Sequence, residues 1–150
     1  MEIRPIVRVL NTDLDGHKKI YLALRKIKGF GFMYSNMVLK LAEIERDKLT
    51  GELNEAQISK IEEIARDPEK FGGPEWMLNR RRDYETGSSV HLIGQDINFV
   101  TDNDIKRMKR IRCYKGVRHM FNAPVRGQRT KSNFRKNKGK GSLGVKKAKK

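Results

Sequence analysis

The densest grouping of reactive side chains is Lys106-Arg107-Met108-Lys109-Arg110, followed at once by Arg112. Its chemistry is that of fixed positive charge. An ammonium meets a phosphate as a point charge, and a guanidinium holds two of its oxygens in a planar fork. The pattern continues without relief to the end of the sequence. From Ile105 to Lys150 there are 18 Lys and Arg and no Asp or Glu, while residues 1–104 hold the other 16 Lys and Arg against all 18 Asp and Glu. The first part therefore carries −2 and the second +18, giving the +16 of the whole chain. A segment without acid cannot neutralise itself. It calls for an external polyanion, and the abundant one is nucleic-acid phosphate. A basic tail with no partner is the competing reading, but such a run would bind nucleic acid in any case.

Other chemistries lack their residues. His17, His91 and His119 are scattered, with no H-x-x-x-H or C-x-x-C pattern. Cys113 is the one cysteine, so no disulfide can form within the chain and no zinc site of a usual type can assemble. No histidine is placed by sequence to activate it, and it reads as a small packing residue. Neither a P-loop nor a G-x-S-x-G elbow occurs. The expectation is a protein that is not an enzyme and takes no metal or cofactor. The apolar runs fall far short of the ~20 residues of a membrane-spanning helix. Met1-Glu2-Ile3-Arg4-Pro5 does not resemble a signal peptide. After Arg126 the sizeable apolar residues are only Phe134, Leu143 and Val145, too few for a membrane-surface helix. The expected setting is the cytosol, with no membrane partner.

The elements that position the cations read as mainly α. Residues 1–70 are expected to form an N-terminal helical bundle. Residues 71–123 add a linker, an arm and the basic helix of the same globular unit, and 124–150 form an extended basic tail. Ile6-Val7-Arg8-Val9-Leu10 reads as a short strand or arm ending in the turn Asn11-Thr12-Asp13. Ile20, Ala23, Leu24 and Ile27 recur at helical spacing, predicting a helix over 17–28. Gly29-Phe30-Gly31 stops it, and a second helix is expected to start near Ser35 as N-cap, carrying Met37, Val38, Leu41 and Ile44. A glycine–hydrophobic–glycine turn between helices resembles a helix–hairpin–helix unit. Its glycines either bring backbone N–H groups against a phosphate or make a tight corner with Phe30 plugging the core. On the motif alone the corner is preferred.

Asn54 is expected to cap a third helix whose buried stripe is Ile58, Ile61, Ile64 and Ala65. Glu62, Glu63 and Asp67 read as its solvated face, and Asp67-Pro68 as its end. Trp76 is assigned to core packing. Arg80-Arg81-Arg82 either touches phosphate or coats a surface. Val90-His91-Leu92-Ile93 and Ile97-Asn98-Phe99-Val100, separated by Gly94-Gln95-Asp96, read as a small hairpin or arm. Thr101-Asp102-Asn103-Asp104 would cap a helix running to about Cys113. On it, Ile105, Met108 and Ile111 form an apolar side and Lys106, Arg107, Lys109, Arg110 and Arg112 a cationic one. Periodicity stops after Gly116. From Pro124 the composition is that of a segment ordered only on a polyanion.

Gly116-Val117-Arg118-His119-Met120-Phe121-Asn122-Ala123-Pro124-Val125-Arg126-Gly127-Gln128-Arg129-Thr130-Lys131-Ser132-Asn133 resembles the signature of the universal small-subunit ribosomal protein family number thirteen, in its archaeal and eukaryotic form. That family writes G-[LVI]-R-H, a few variable residues, then P-V-R-G-Q-R-T-[KR]-[ST]-N. The Val9-Leu10-Asn11-Thr12-Asp13 start, Ile27-Lys28-Gly29-Phe30-Gly31, Trp76-Met77-Leu78-Asn79-Arg80 and Ile111-Arg112-Cys113-Tyr114-Lys115-Gly116 extend the likeness over almost the whole chain. Two positions depart from it, Asn11 and Asn122, where the family usually has Gly. Asn is the next residue most tolerant of a left-handed backbone.

The resemblance implies a helical fold with a helix–two-turns–helix element and a place in the head of the small ribosomal subunit, bound to the 3′ domain of its rRNA. It implies ribosomal protein nineteen of that subunit as neighbour, and an intersubunit bridge to ribosomal protein five of the large subunit. It also implies a tail that approaches the peptidyl-site tRNA. In these roles Arg118, Arg126 and Arg129 suit bidentate phosphate contact, with His119 and Lys115 beside them, and Gly116 and Gly127 would let backbone approach RNA. Gln128, Thr130 and Asn133 can bond sugar hydroxyls or base edges. Lys131, Arg135, Lys136, Lys138 and Lys140 would continue the contact, and Lys146, Lys147, Lys149 and Lys150 suit a mobile contact with tRNA. Two other classes compete. A free-standing DNA-repair module would need a catalytic amine or carboxylate pair, which is not visible. A pure protein-interaction domain leaves the acid-free tail unexplained.

Overall fold

The computed structural model describes residues 4–130. They divide into two units, one ending at Phe99 and the other beginning at Val100. The run Ile6–Val9 is a strand (β1) that turns on Leu10 and Asn11 and pairs antiparallel with Thr12–Asp15 (β2), Val9 opposite Thr12 and Ile6 opposite Asp15. Val7, Val9 and Leu14 face the core, as the two-residue period of a strand requires. Leu10 and Asn11 have φ of 47° and 59°. A two-residue turn with both φ positive matches the twist of its strands. Asn11 adopts the left-handed geometry that Asn tolerates better than most residues. Leu10 is sterically strained there but is held by its N–H, which donates to Glu62 Oε1 at 2.7 Å. Glu62 is therefore a structural acceptor and not part of a solvated face.

The predicted helix over 17–28 is shorter than its periodicity suggests. Helix α1 is Ile20–Ala23, continued by a 3-10 turn over Leu24–Lys26. Lys18 and Ile20 instead share backbone hydrogen bonds with the segment before Gly51: Thr50 N–H donates to Lys18 O at 3.0 Å and Ile20 N–H to Lys48 O at 2.9 Å. Pairing with a distant strand-like segment overrides the local helical preference. Helix α2 is Phe32–Ala42, with Gly31 as N-cap. Ser35 is not the cap; it lies one turn inside, fully buried. Helix α3 is Glu55–Arg66, as expected, and the Asn54 N–H donates to its capping-box partner Gln57 Oε1 at 3.2 Å. Ile61, Ile64 and Ala65 are wholly buried with the α2 residues Val38 and Leu39 and the earlier Ile20, Leu24 and Ile27 in one core. The Tyr34 hydroxyl ties α2 to α3 by donating to Ala65 O at 2.8 Å.

The Gly29-Phe30-Gly31 turn is a packed corner. Phe30 is buried and meets the Tyr34 ring edge-on at 5.1 Å. Gly29 has φ of 99°, and a Cβ there would sit 2.7 Å from Leu92 O, so the close approach its bareness permits is taken up within the chain. Gly31 has open space about it.

Beyond the 3-10 turns Pro68–Phe71 and Glu75–Met77, two expectations fail. Trp76 is 68% exposed and contributes nothing to the core, whereas its neighbour Leu78 is buried; a turn, unlike a helix, gives the larger side chain no packed face. The Val90–Val100 hairpin is absent. Val90 forms an isolated antiparallel bridge with Arg80, and Ile97-Asn98-Phe99-Val100 lies in helix α4, Gln95–Ile111. Its half-buried Ile97, Val100, Ile105 and Met108 return at helical spacing. That periodicity over a longer window outweighs the β-preference of four residues, and Gly94, with φ of 60°, breaks the chain before it. The capping residues Thr101 to Asp104 are thus mid-helix. A further helix, α5 over Tyr114–Met120, follows where periodicity predicts none. Among the described residues no helix is long and apolar enough to cross a membrane.

Candidate nucleic-acid interface

Successive residues of α4 step 100° around its axis. Lys106, Arg107, Lys109 and Arg110 therefore share the face opposite Ile105, Met108 and Ile111. Lys106 and Arg110 are exposed, and Arg107 and Lys109 half-buried. Arg107 Nη2 also pairs with Asp104 Oδ1 at 3.0 Å, one turn back. The helix ends at Arg112, which takes φ of 55° with its N–H on Lys109 O at 3.1 Å. A left-handed residue at this point is a common helix stop, and Arg112 is exposed there.

Cys113 caps α5 and does not lie on the basic helix. Its Sγ accepts from Gly116 N–H at 3.4 Å and donates toward Met108 O at 3.6 Å. Gly116 is buried, and a Cβ there would fall 2.0 Å from the Met108 carbonyl oxygen. Its missing side chain serves the joint between α4 and α5. Lys115 is exposed, Arg118 and His119 half-buried. Asn122 closes α5 in the left-handed region with φ of 50°, its N–H on His119 O and the Ala123 N–H on Arg118 O at 2.9 Å. Asn, tolerant of the left-handed region, supplies this turn. Arg118 Nε donates to Pro124 O at 2.9 Å, which directs the chain into Arg126-Gly127-Gln128-Arg129-Thr130. All five residues are exposed, Gly127 takes φ of 75°, and Gln128 Oε1 accepts the Arg126 N–H at 3.1 Å.

The structure thus gathers Lys106, Arg107, Lys109 and Arg110 on one helix face and leaves Lys115, Arg126 and Arg129 open to solvent. It gives Gly116 and part of Arg118 to internal contacts. Lys131, Asn133, Arg135, Lys136, Lys138, Lys140, Lys146, Lys147, Lys149 and Lys150 lie outside the described residues. Two residues that the charge pattern passes over belong with this surface. Tyr114 and Phe121 are 68% and 63% exposed on either side of Lys115 and Arg118. Exposed rings interleaved with cations offer stacking faces to bases. The arrangement can neutralise phosphates and stack bases, and no group of three or more His, Cys, Asp or Glu that could hold a metal occurs among the described residues.

The first unit has a clasp of its own. Asn79 Nδ2 donates to Leu92 O and its Oδ1 accepts the Leu92 N–H, both at 2.8 Å. His91 stacks on Tyr34 with centroids 3.6 Å apart. Its Nδ1 accepts the Asn79 N–H at 3.3 Å and its Nε2 meets Gly29 O at 3.1 Å, so a neutral ring protonated on Nε2 satisfies both. Burial pushes this imidazole below its usual range, against a smaller pull upward from the Gly29 carbonyl. In the arginine triplet, Arg80 bonds Asp83, which holds that carboxyl at about 2. Arg81 and Arg82 stay exposed.

With this geometry in place, comparison with known proteins is specific. A family model described as Ribosomal protein S13/S18 matches residues 8–136. The small ribosomal subunit protein uS13 of Methanocaldococcus jannaschii is 48% identical over 135 residues, 90% of each chain. The protein of the same name from Methanopyrus kandleri is 43% identical over 148 residues, 97% of this chain and 96% of its own. That of Methanosphaera stadtmanae is 45% identical over 134 residues, covering 89% and 88%.

Proposed function

The chain belongs to the ribosomal protein S13/S18 family, and from that premise we propose that it is a non-enzymatic structural component of the small ribosomal subunit that binds rRNA through its second unit and tail. The observation that carries the binding mode is the cationic face of α4 leading through α5 into an exposed segment that holds Arg126 and Arg129, with no acid from Ile105 onward. Lys106, Lys109, Arg110, Lys115, Arg126 and Arg129 neutralise phosphates, while Tyr114 and Phe121 stack on unpaired bases. Most of these contacts fix position without reading sequence, so RNA shape selects the site.

The finer placement is part of the same reading. The chain sits in the subunit head on the 3′ domain, beside ribosomal protein nineteen of that subunit. Its first unit reaches ribosomal protein five of the large subunit in an intersubunit bridge, and its terminal lysines approach the peptidyl-site tRNA. The family likeness supports this placement, as does the division of the chain into a nearly neutral packed unit and a basic one. Sedimentation of cell lysate through a sucrose gradient tests it. Near-complete co-migration with small subunits and whole ribosomes, retained through high-salt washing, is the expected result. A soluble pool, or one that high salt strips off, would overturn it.

A further inference from the structure

The charge balance of residues 1–104 conceals a local excess. The first unit holds a cleft of about 1240 Å³, larger than the roughly 300–1,000 Å³ of ordinary small-molecule sites. Four cations from three parts of the unit line it: Arg8 on β1, Lys26 and Lys28 around the end of the turn after α1, and Arg66 closing α3. All four are exposed, and none pairs with a carboxylate among the described residues. Lys26 gives one N–H to the Asp13 carbonyl at 2.6 Å. A single carboxylate, Asp96, shares the lining.

The rest of the lining decides what such a site can hold. A protein partner wants an apolar or aromatic anchor pocket, yet the apolar lining is Leu10 and Ile93, each half-buried. Asn11, Thr12, Gln95 and Asn98 supply groups that both donate and accept. Those are the partners of phosphate oxygens and ribose 2′-hydroxyls. No exposed ring lines the cleft to stack a base. Its rim is also preformed: the left-handed Leu10-Asn11 tip is fixed by the Leu10 N–H to Glu62 bond, and the opposite edge by the Gly94 N–H to Lys28 O bond at 2.9 Å.

We infer that this cleft is a second RNA site, separate from the cationic face of α4, from α5 and from the tail, that grips the sugar–phosphate backbone of an RNA segment through Arg8, Lys26, Lys28 and Arg66 without reading bases. The inference uses no residue of the second unit, so it stands or falls apart from the reading of that surface.

Two measurements on the full chain test it. In the first, the RNA affinity of the Lys28→Gln/Arg66→Gln variant is followed against salt with an oligouridylate probe, beside a Lys18→Gln/Lys40→Gln control outside the cleft. Removing one phosphate contact lowers the slope of log affinity against log salt by about 0.7 on single strands. The cleft variant is expected to drop by about twice that and the control by nothing, with both unfolding at the wild-type temperature. Equal slopes for wild type and cleft variant would overturn the inference. In the second, backbone amide NMR follows Gly94, Asn98 and Lys28 during titration with oligouridylate or with a polyglutamate peptide of the same length. Shifts with RNA and not with the peptide support an RNA site. Equal shifts with both, or none with RNA, contradict it; the first of these would point to an acidic protein segment.

Discussion

The two units of this chain are built on opposite principles. The first closes a core: Ile20, Leu24, Leu39, Ile61 and Ile64 are almost wholly buried around α2 and α3. In the second, Gly116 is the only buried residue among those described after Phe99, and Ile111, Tyr114 and Phe121 stand exposed beside the cations. The hydrophobic effect alone can hold the first together. The second turns its apolar and charged surface outward, as a surface does when its partner supplies the other half. The closed core thus lies in the first unit, and the cationic helix face with its exposed rings in the second.

The sharpest way to break that comparison is to cut matching side chains in the two units. Ile64→Ala is expected to cost about 2–5 kcal/mol in urea unfolding because it leaves a cavity in a closed core. Ile111→Ala, at an exposed position, should stay within about 0.5 kcal/mol. Similar destabilisation by both would mean that the second unit has a core of its own. Next in size is Gly116→Ala. Its Cβ would collide with the Met108 carbonyl, and overpacking of this kind costs about 1–3 kcal/mol. Amide exchange should rise along α5 while α3 remains protected. An equal fall of protection in both would join the units into one cooperative structure.

A smaller effect sharpens the account of the first unit. Asn54→Ala removes the cap of α3 and should lower stability by about 1 kcal/mol, read as a shift in the denaturation midpoint at constant slope. The mildest test is pH. The folded-state pKa of His91 lies below its ordinary value, so the unfolded chain takes up this proton first as pH falls. Stability should be full above the unfolded value of about 6.5, decline as pH drops through it, and level off below the folded value. His91→Gln should flatten that part of the profile in urea titrations between neutral and mildly acidic pH; a profile unchanged by the substitution would remove His91 as its source.

How much of this is legible in the sequence depends on range. Helix α3 is readable because its cap, its stripe and its proline stop all lie within one stretch, from Asn54 to Pro68. Helix α1 is overextended by periodicity because the partners of Lys18 and Ile20 lie some thirty residues on, at Thr50 and Lys48. The segment Ile97 to Val100 looks like a strand in a four-residue window and is helix in a longer one. Helix α5 is hidden by Gly116, which breaks helices in isolation but here allows a close crossing. Trp76 misleads because residue type does not reveal which way a turn points. At the candidate site the charges are readable, since charge needs no partner to be counted. The first-unit cleft is not, because Arg8, Lys26, Lys28 and Arg66 meet only through the fold.

The central claim is that binding and folding are separable here. Its most direct test is one variant, Lys106→Gln/Arg107→Gln/Lys109→Gln/Arg110→Gln, measured twice: by thermal unfolding, and by RNA affinity across a salt series. The account predicts an unchanged melt for the first unit with a weaker affinity, its salt slope reduced by about 0.7–0.9 for every phosphate that these side chains no longer neutralise. An unchanged affinity and slope, or a first unit that no longer folds, would contradict it.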